Sequence, residues 1–302
     1  MDRFLKKTAV FAIITIILLV AGEFAVRHMT SSYSFKDEWL RQNGAKVNTL
    51  ILGSSHTYYG LKPELLGDSV FNLANISQSP EYDLYLLEHY LPCCPNLKKV
   101  ILPISYFTYR DAELEESDAW TLCINYKVDM HLPVHSDFSI YNLKLADYNS
   151  YFGRLRGLVK KQESNRCDSL GFGLGFELDS RLPAWKKQLE QRVSDLTQNN
   201  PGRPSEAVAA LHSIIDLCKE HDIECIFITT PVYSGFAEAM DTDQYNEMMH
   251  LTDSIVMSER IRYYDFFTDS SFTDSDFHDV DHLSDVGAVH LSEKLRYLLY
   301  SR

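Results

Sequence analysis

The sequence lacks the clustered positive charge that binding to nucleic acid requires. Lys and Arg total 29 against 42 Asp and Glu, which gives a formal net charge of −13, and no basic stripe runs along any segment. Affinity for a phosphate backbone depends on clustered cations. The composition therefore argues against nucleic acid as a partner.

Signatures of metal and phosphate binding are also missing. Residues 171–175 (GFGLG) have neither the third glycine nor the following lysine of a phosphate loop. The acids and histidines of residues 278–285 are not spaced to put ligands on one helix face. No cysteine pair has the spacing of a zinc site; the cysteines are Cys93, Cys94, Cys123, Cys167, Cys218 and Cys225. We predict no metal and no cofactor.

The N-terminus has the charge pattern of an exported protein. Lys6 and Lys7 precede 15 uncharged residues, 8–22, which are fewer than the roughly 20 residues of a membrane span. The span could extend past Glu23 to Val26, and we predict that residues 1–26 form the signal anchor or transmembrane segment. Residues 20–22 (VAG) match a cleavage site poorly. We therefore favour an uncleaved signal anchor over a cleaved signal peptide. The two lysines would stay cytoplasmic, and the remaining chain would lie on the extracytoplasmic side of the membrane.

The rest of the chain, with 45% hydrophobic and 24% charged residues, has the composition of a folded protein. Polar residues 27–45 predict a stalk leading into a domain of residues 46–302. Export would permit disulfides, but the spacing of the cysteines does not give their pairing. Cys218 and Cys225 lie in apolar periodic segments and are expected to be core residues.

Strand and helix patterns alternate through most of this domain. Short apolar runs predict buried strands, and a period near 3.6 predicts helices. The strands are expected at residues 47–52, 70–73, 100–104, 223–229 and 261–264, and the helices at residues 79–92, 204–220, 244–257 and 285–299. Ser79 should cap the first of these helices, because proline and an acid follow it. Such alternation predicts an α/β fold with a parallel sheet covered on both faces.

The alternation fails at about residues 107–201, which are rich in Tyr, Asp, Asn and Ser. We predict that this segment is an insertion after the third strand, mainly helical or irregular, which forms a lid or binds a partner. Within it, residues 185–192 (WKKQLEQR) predict a solvated helix face.

Residues 50–57 (LILGSSHT) are the strongest chemical signal. The apolar run stops at Gly53, and Ser54 and Ser55 follow, as where a buried strand ends in a tight turn. Ligands of parallel sheets bind outside the carboxyl ends of the strands. The segment of residues 72–77 and the segment of residues 268–282 should return to that same edge.

Serine is a poor nucleophile unless a base removes its proton. His282 could be that base for Ser55, and Asp279, three residues earlier, could orient it. Asp281 is expected to point elsewhere, and His278 to be a less well-placed base. The alternative is that the serines are plain turn residues and the acids form a solvated loop.

These residues resemble the SGNH (GDSL-like) hydrolase superfamily. Gly53-Ser54-Ser55 is similar to its Gly-Asp-Ser block, and residues 279–282 (DVDH) to its Asp-x-x-His block. Residues 71–77 resemble the second block, whose glycine donates a backbone N–H to the oxyanion. Closer still, the chain resembles membrane-anchored, SGNH-like envelope proteins. The match covers residues 46–106 and 205–300 and implies a three-layer, flavodoxin-like parallel sheet.

The chain departs from the superfamily pattern at three positions. Asn75 replaces the second-block glycine, although asparagine tolerates a positive φ angle. Ser54 replaces the first-block aspartate. The third block, Gly-x-Asn-Asp, is missing, and losing an oxyanion donor such as its asparagine typically costs about 100- to 1,000-fold in rate. Ser105, Asn75 and His56 are candidate substitutes, and Ser54 is a further candidate for binding at this site.

The resemblance implies an exported, membrane-anchored ester hydrolase or O-acyltransferase. Its expected substrate is an acylated glycan, with acetyl groups on an envelope or exported polysaccharide. Ser55 would attack the ester, His282 would move the proton, and Asp279 would orient His282. The backbone N–H groups of Ser55 and Asn75 would bind the oxyanion. The alternative is a non-catalytic partner of a membrane acyltransferase or of a glycan-export complex, which the missing third block favours.

Overall fold

The computed structural model describes residues 2–110, 114–136, 138–160, 167–197 and 204–300. The chain divides into two compact units. The N-terminal unit comprises residues 1–37 and 120–165, and the sheet unit comprises residues 38–119 and 166–302.

Five parallel strands form the sheet, in the order β2-β1-β3-β4-β5. The strands are β1 (Thr49–Ile51), β2 (Val70–Asn72), β3 (Lys99–Pro103), β4 (Glu224–Thr229) and β5 (Arg262–Asp265). In register, Leu50 pairs with Phe71 on one side and with Val100 on the other. Each strand overlaps a predicted one, and β1, β2 and most of β3 and β4 are buried, as expected of strands covered on both faces.

Helices and single 3₁₀ turns make up most of the remaining described chain. The α-helices are α1 (Asp2–Arg27), α2 (Ser32–Asn43), α3 (Ser55–Tyr58), α4 (Pro63–Leu66), α5 (Pro80–Tyr90), α6 (Cys123–Val128), α7 (Tyr148–Lys160), α8 (Leu189–Thr197), α9 (Pro204–Glu220), α10 (Ser234–Ala239), α11 (Thr242–Glu259) and α12 (Asp285–Tyr300). The 3₁₀ turns are Gly44–Lys46, Leu91–Cys93, Leu114–Glu116, Trp120–Leu122, Ile140–Asn142, Lys144–Ala146, Leu178–Ser180, Trp185–Gln188 and Asp274–Asp276.

Helices cover both faces of the sheet. Every residue of β1 and β2 is buried, and consecutive side chains of a strand point to opposite faces, so both faces are packed. Helix α9 lies between α5 and α11, and α12 packs on α4. The predicted three-layer, flavodoxin-like α/β fold is confirmed.

Helix α9 shows why the helical patterns were readable from sequence. It buries Ala207, Ala210, Leu211, Ile214, Ile215 and Cys218, which recur every three or four residues. Helix α5 begins at Pro80 as predicted, but the Ser79 side chain makes no capping hydrogen bond. Cys218 and Cys225 are buried as expected.

Helix α1 is long and apolar enough to be a membrane anchor or a signal sequence. Residues Arg3–Arg27 have a mean hydropathy of 2.6 in their most apolar stretch, of which only 6% is buried. The predicted stalk contains helix α2, whose Leu40 is buried and whose Trp39 stacks on Phe71 of β2 at 4.2 Å between ring centroids. The boundaries of the stalk and of the insertion stay predictions.

Candidate active site

The turn after β1 has a backbone that favours glycine. Gly53 has a φ angle of 105°, and a Cβ atom there would lie 2.0 Å from Pro103 Cγ. The chain then enters α3, where the Ser54 hydroxyl accepts a hydrogen bond from the His56 N–H at 3.5 Å. Ser55 is therefore the first residue of a helix that starts at the carboxyl end of a central strand.

A tight hairpin at residues 277–283 presents the second half of the site. The His278 N–H donates to the His282 carbonyl at 3.0 Å. Asp279 Oδ1 accepts hydrogen bonds from the backbone N–H groups of Asp281 (3.0 Å) and His282 (2.8 Å). The Asp279 side chain thus folds back over its own turn, which is the typical behaviour of aspartate in turns.

The two segments meet in space. Ser55 Oγ lies 2.8 Å from His282 Nε2, and His282 Nδ1 lies 3.0 and 3.1 Å from the two oxygens of Asp279. This is the arrangement of nucleophile, base and orienting acid, with each pair within hydrogen-bonding distance. The structure brings these three predicted residues together, and their catalytic roles stay a prediction.

From the sequence, Asp281 was expected to point away from His282, but its side chain points towards it. Its side chain is buried, and its Oδ1 lies 3.3 Å from His282 Nδ1. Its Oδ2 accepts hydrogen bonds from Arg192 Nη2 at 2.7 Å and from the Tyr106 hydroxyl at 2.8 Å. The expectation was wrong because Arg192 and Tyr106, which hold the carboxylate inward, are distant in sequence.

Arg192 lies on α8, within the segment predicted as a solvated helix face. That prediction holds only in part, because Trp185 is buried and Arg192 reaches the buried Asp281. The polar residues that precede Arg192, which include Lys, Gln and Glu, did not indicate that Arg192 would pair with Asp281.

His56, a candidate oxyanion residue itself, connects Ser105 to this network. Its Nδ1 lies 3.0 Å from Ser105 Oγ, and its Nε2 lies 3.7 Å from Asp281 Oδ2. The Ser105 backbone N–H donates to Thr108 Oγ1 at 2.8 Å. Burial, together with the charge of His282, lowers the pKa of His56. We therefore describe His56 as a neutral imidazole between Ser105 and Asp281.

Two carboxylates dominate the electrostatics of His282. Burial by itself would lower the pKa of His282, but the charges of Asp281 and Asp279 and their hydrogen bonds raise it to about 10. Burial by itself would raise the pKa of Asp281, yet the neighbouring His282, His56 and Arg192 hold it well below its usual value. Near pH 7 the site therefore contains an imidazolium between two carboxylates.

Asn75 does not present free N–H groups to the site. Its backbone N–H donates to the Gly53 carbonyl at 3.1 Å, and its side-chain amide donates to Leu73 O (3.2 Å) and Gln78 Oε1 (2.9 Å). The positive φ angle in this loop belongs to Ser77, at 55°. Asn75 thus holds the loop against the Gly53 turn, and the expectation that its N–H binds an oxyanion has to be corrected.

A cavity of about 560 Å³ opens beside the nucleophile turn. Ser54 and Ser105 line it, together with Arg192. Its wall carries several carboxyl groups, those of Glu81, Asp83, Glu116, Asp118, Asp195 and Glu206. Ser54, which precedes Ser55 in the chain, lines this cavity, and part of a substrate could bind there.

Asp83, which the sequence argument did not single out, anchors the turn from α5. Its Oδ1 accepts hydrogen bonds from the Gly53 N–H at 2.7 Å and from Gln78 Nε2 at 2.6 Å. Complete burial raises the pKa of Asp83 to about 8. The carboxyl group is therefore largely protonated near pH 7, and it keeps the turn in place without adding a full negative charge.

Three side chains of the site offer possible metal ligands, namely His56, Asp281 and His282, whose ligand atoms lie within 4.8 Å of one another. Asp281 and His282 already have partners, whereas His56 Nε2 makes no hydrogen bond within the described part of the chain. Arg192 binds Asp281 Oδ2, and Ser55 lies on His282 Nε2. A cation here would also face the guanidinium charge, so the arrangement suits proton transfer better than metal binding.

The chain matches no protein-family model and no curated protein sequence. Solved structures similar to it include a protein from Bacteroides fragilis NCTC 9343 that is provisionally described as an acylhydrolase. That likeness has 9% identity and a TM-score of 0.40, and it covers 86% of this chain and 94% of the other. Another is a protein from Streptococcus pneumonia that is provisionally described as a platelet activating factor, with 13% identity, a TM-score of 0.42, and coverage of 97% and 99%. Likeness at this level carries no argument about chemistry, which rests on the geometry of the site.

Proposed function

We propose that this protein is a serine-dependent carboxylic-ester hydrolase or O-acyltransferase of the SGNH type. The observation that carries the proposal is the continuous contact from Ser55 Oγ through His282 to Asp279, at 2.8 and 3.0 Å. Its position at the carboxyl end of β1, beside a cavity, is where parallel sheets bind ligands. The proposed substrate is an acetylated envelope or exported glycan.

In the proposed reaction, Ser55 Oγ attacks the ester carbonyl carbon, and its proton passes to His282 Nε2. The tetrahedral intermediate then collapses, the bond to the leaving alcohol breaks, and His282 returns the proton to that alcohol. Water, or a hydroxyl group of an acceptor sugar, loses its proton to His282 and attacks the carbonyl carbon of the acyl-serine. The bond between the acyl group and Ser55 Oγ then breaks, and His282 returns the proton to Ser55 Oγ. Asp279 holds the imidazole through Nδ1 and stabilises its charged form.

Ser105 is our choice for the side-chain donor to the oxyanion, in place of the missing asparagine. It lines the cavity, and its hydroxyl, which can donate or accept, lies 3.0 Å from His56 Nδ1. The backbone N–H of Ser55 is the other proposed donor. Preorganised donors of this kind stabilise charge that develops only in the transition state.

The remaining parts of the proposal concern the surroundings of the site. Helix α1 is proposed to anchor the protein in the cytoplasmic membrane, with the sheet unit on the extracytoplasmic side. A membrane acyltransferase is the proposed donor if the reaction is acyl transfer, because an acyl-serine must be loaded by an acyl donor before a sugar hydroxyl can receive the group.

A fluorophosphonate probe tests the proposal, since it reacts covalently with an activated serine. Full-length protein in detergent should be labelled, and Ser55→Ala should abolish labelling and the hydrolysis of p-nitrophenyl acetate. Ser54→Ala is the matched control, because it removes the adjacent hydroxyl and leaves the Ser55–His282 contact. Labelling that persists in Ser55→Ala would refute the assignment of the nucleophile.

One observation favours a second candidate, a non-catalytic partner of a membrane acyltransferase or of a glycan-export complex. The pKa of His282, about 10, keeps the proposed base protonated near pH 7. If a well-folded protein shows neither labelling nor hydrolysis at any pH from 7 to 10, this second candidate replaces the first.

A further inference from the structure

We propose that Asp281 and Arg192 are positioning residues that set the charge state of His282 in opposite directions. Asp281 acts as a second carboxylate on the imidazole, and Arg192, carried on α8, counters that carboxylate. This inference deepens the proposed function and rests on it for its kinetic readout only.

The contacts of Asp281 carry the first part of the inference. Its side chain is 1% exposed, and Oδ1 lies 3.3 Å from His282 Nδ1. The single proton on Nδ1 is already directed to Asp279, at 3.0 and 3.1 Å. Asp281 is therefore not needed to orient the ring. What it adds at this distance is negative charge, which favours the imidazolium.

The contacts of Arg192 carry the second part. Its Nε and Nη2 atoms lie 2.9 and 2.7 Å from Asp281 Oδ2, the oxygen that also receives the Tyr106 hydroxyl. The guanidinium is always charged, so it opposes the carboxylate across the whole working range of pH. Arg192 thus weakens the influence of Asp281 on His282.

Titratable groups surround His282 from every neighbouring element. His56 comes from α3, and Asp279, Asp281 and His278 come from the hairpin. Arg192 comes from α8, and Tyr106 follows β3. Burial lowers the pKa values of His56 and His278, so both are neutral near pH 7. Of these groups, Arg192 is the cation that opposes the two aspartates.

The direct test is an NMR titration of the His282 ring in isotopically labelled full-length protein, with the signal assigned from His282→Gln. Asp281→Asn should move the His282 midpoint to lower pH by about one unit or more, because an anion near the ring is lost. Arg192→Gln should move it to higher pH, because the countering cation is lost. A purely structural role predicts no such opposite pair of shifts.

Arg262→Gln is the matched control. Arg262 Nη2 lies 2.6 Å from Glu224 Oε1, and its side chain is 38% exposed, against 36% for Arg192. Both residues of this control pair begin their strands, at the edge of the sheet opposite the site. This variant should leave the His282 midpoint in place.

The pH dependence of fluorophosphonate labelling should follow the same two shifts. Should Arg192→Gln prove unstable, Arg192→Lys keeps the positive charge, and the His282 midpoint should stay near its wild-type value while Asp281→Asn still moves it to lower pH. Midpoints that do not move, or that move in the same direction in Asp281→Asn and Arg192→Gln, overturn the inference. Because the NMR titration needs no turnover, an unlabelled wild-type protein would refute the proposed function and leave this test intact.

Discussion

The pH dependence of Ser55 labelling follows directly from the carboxylates around His282. The base must be neutral to accept the serine proton, and its pKa of about 10 makes the neutral fraction about one in a thousand at pH 7. That fraction grows about tenfold for each pH unit below the pKa. The labelling rate should therefore rise about 100-fold between pH 7 and pH 9 and level off near pH 10.

The assay is the rate of fluorophosphonate incorporation, measured under pseudo-first-order conditions at half-unit steps of pH. Ser55→Ala gives the background from other nucleophiles, and the rate of probe hydrolysis is subtracted at each pH. His282→Gln should be slow and nearly independent of pH over this range. A wild-type rate that is flat between pH 7 and pH 9 would refute the reasoning about His282.

The raised pKa of His282 also predicts how the free energy of unfolding depends on pH. Because the folded-state pKa of His282 lies above its ordinary value of 6.5, the imidazolium stabilises the native state fully below pH 6.5, and that contribution is lost as pH rises towards 10. The shift corresponds to about 5 kcal/mol. Urea denaturation should show a fall of that order between pH 6.5 and 10, and His282→Gln should flatten it.

Three substitutions test the turn and the oxyanion site. Gly53→Ala should lower the free energy of unfolding by at least about 2 kcal/mol and abolish labelling, as measured by urea denaturation and gel fluorescence, because φ is 105° and the added Cβ meets Pro103. Asp83→Asn should fold normally and remove a fall in stability between pH 4 and pH 8. The raised pKa of Asp83 makes the folded state bind a proton that the unfolded chain releases, so equal pH slopes in the two proteins would contradict this. Ser105→Ala should lower kcat for p-nitrophenyl acetate by about 100-fold or more with KM little changed; an unchanged kcat would exclude Ser105 as an oxyanion donor.

Local sequence was sufficient for the five strands and for helices α5, α9, α11 and α12 of the sheet unit. The apolar runs that became β1, β3 and β4 could be read because burial of both faces leaves few polar positions in a central strand, and Lys99 and Glu224 stand at the strand starts. The predicted ends of these strands differ from the observed ends by up to two residues, since strand ends are set by pairing with neighbouring strands. The backbone of the loop after β2 was not predicted correctly, because the residue with the left-handed conformation is Ser77 and not Asn75.

The sequence by itself determined the three-layer fold and identified Ser55, His282 and Asp279 as a possible nucleophile, base and orienting acid. The spacing within each motif sufficed, because a turn after a strand and an Asp-x-x-His turn are local structures. Only the tertiary structure decided what surrounds them: Asp281 turns inward, Arg192 counters it, and Asp83 is buried under Gly53. Charge and burial depend on residues far apart in the chain, so the pKa values that govern this site could not be read from any one segment.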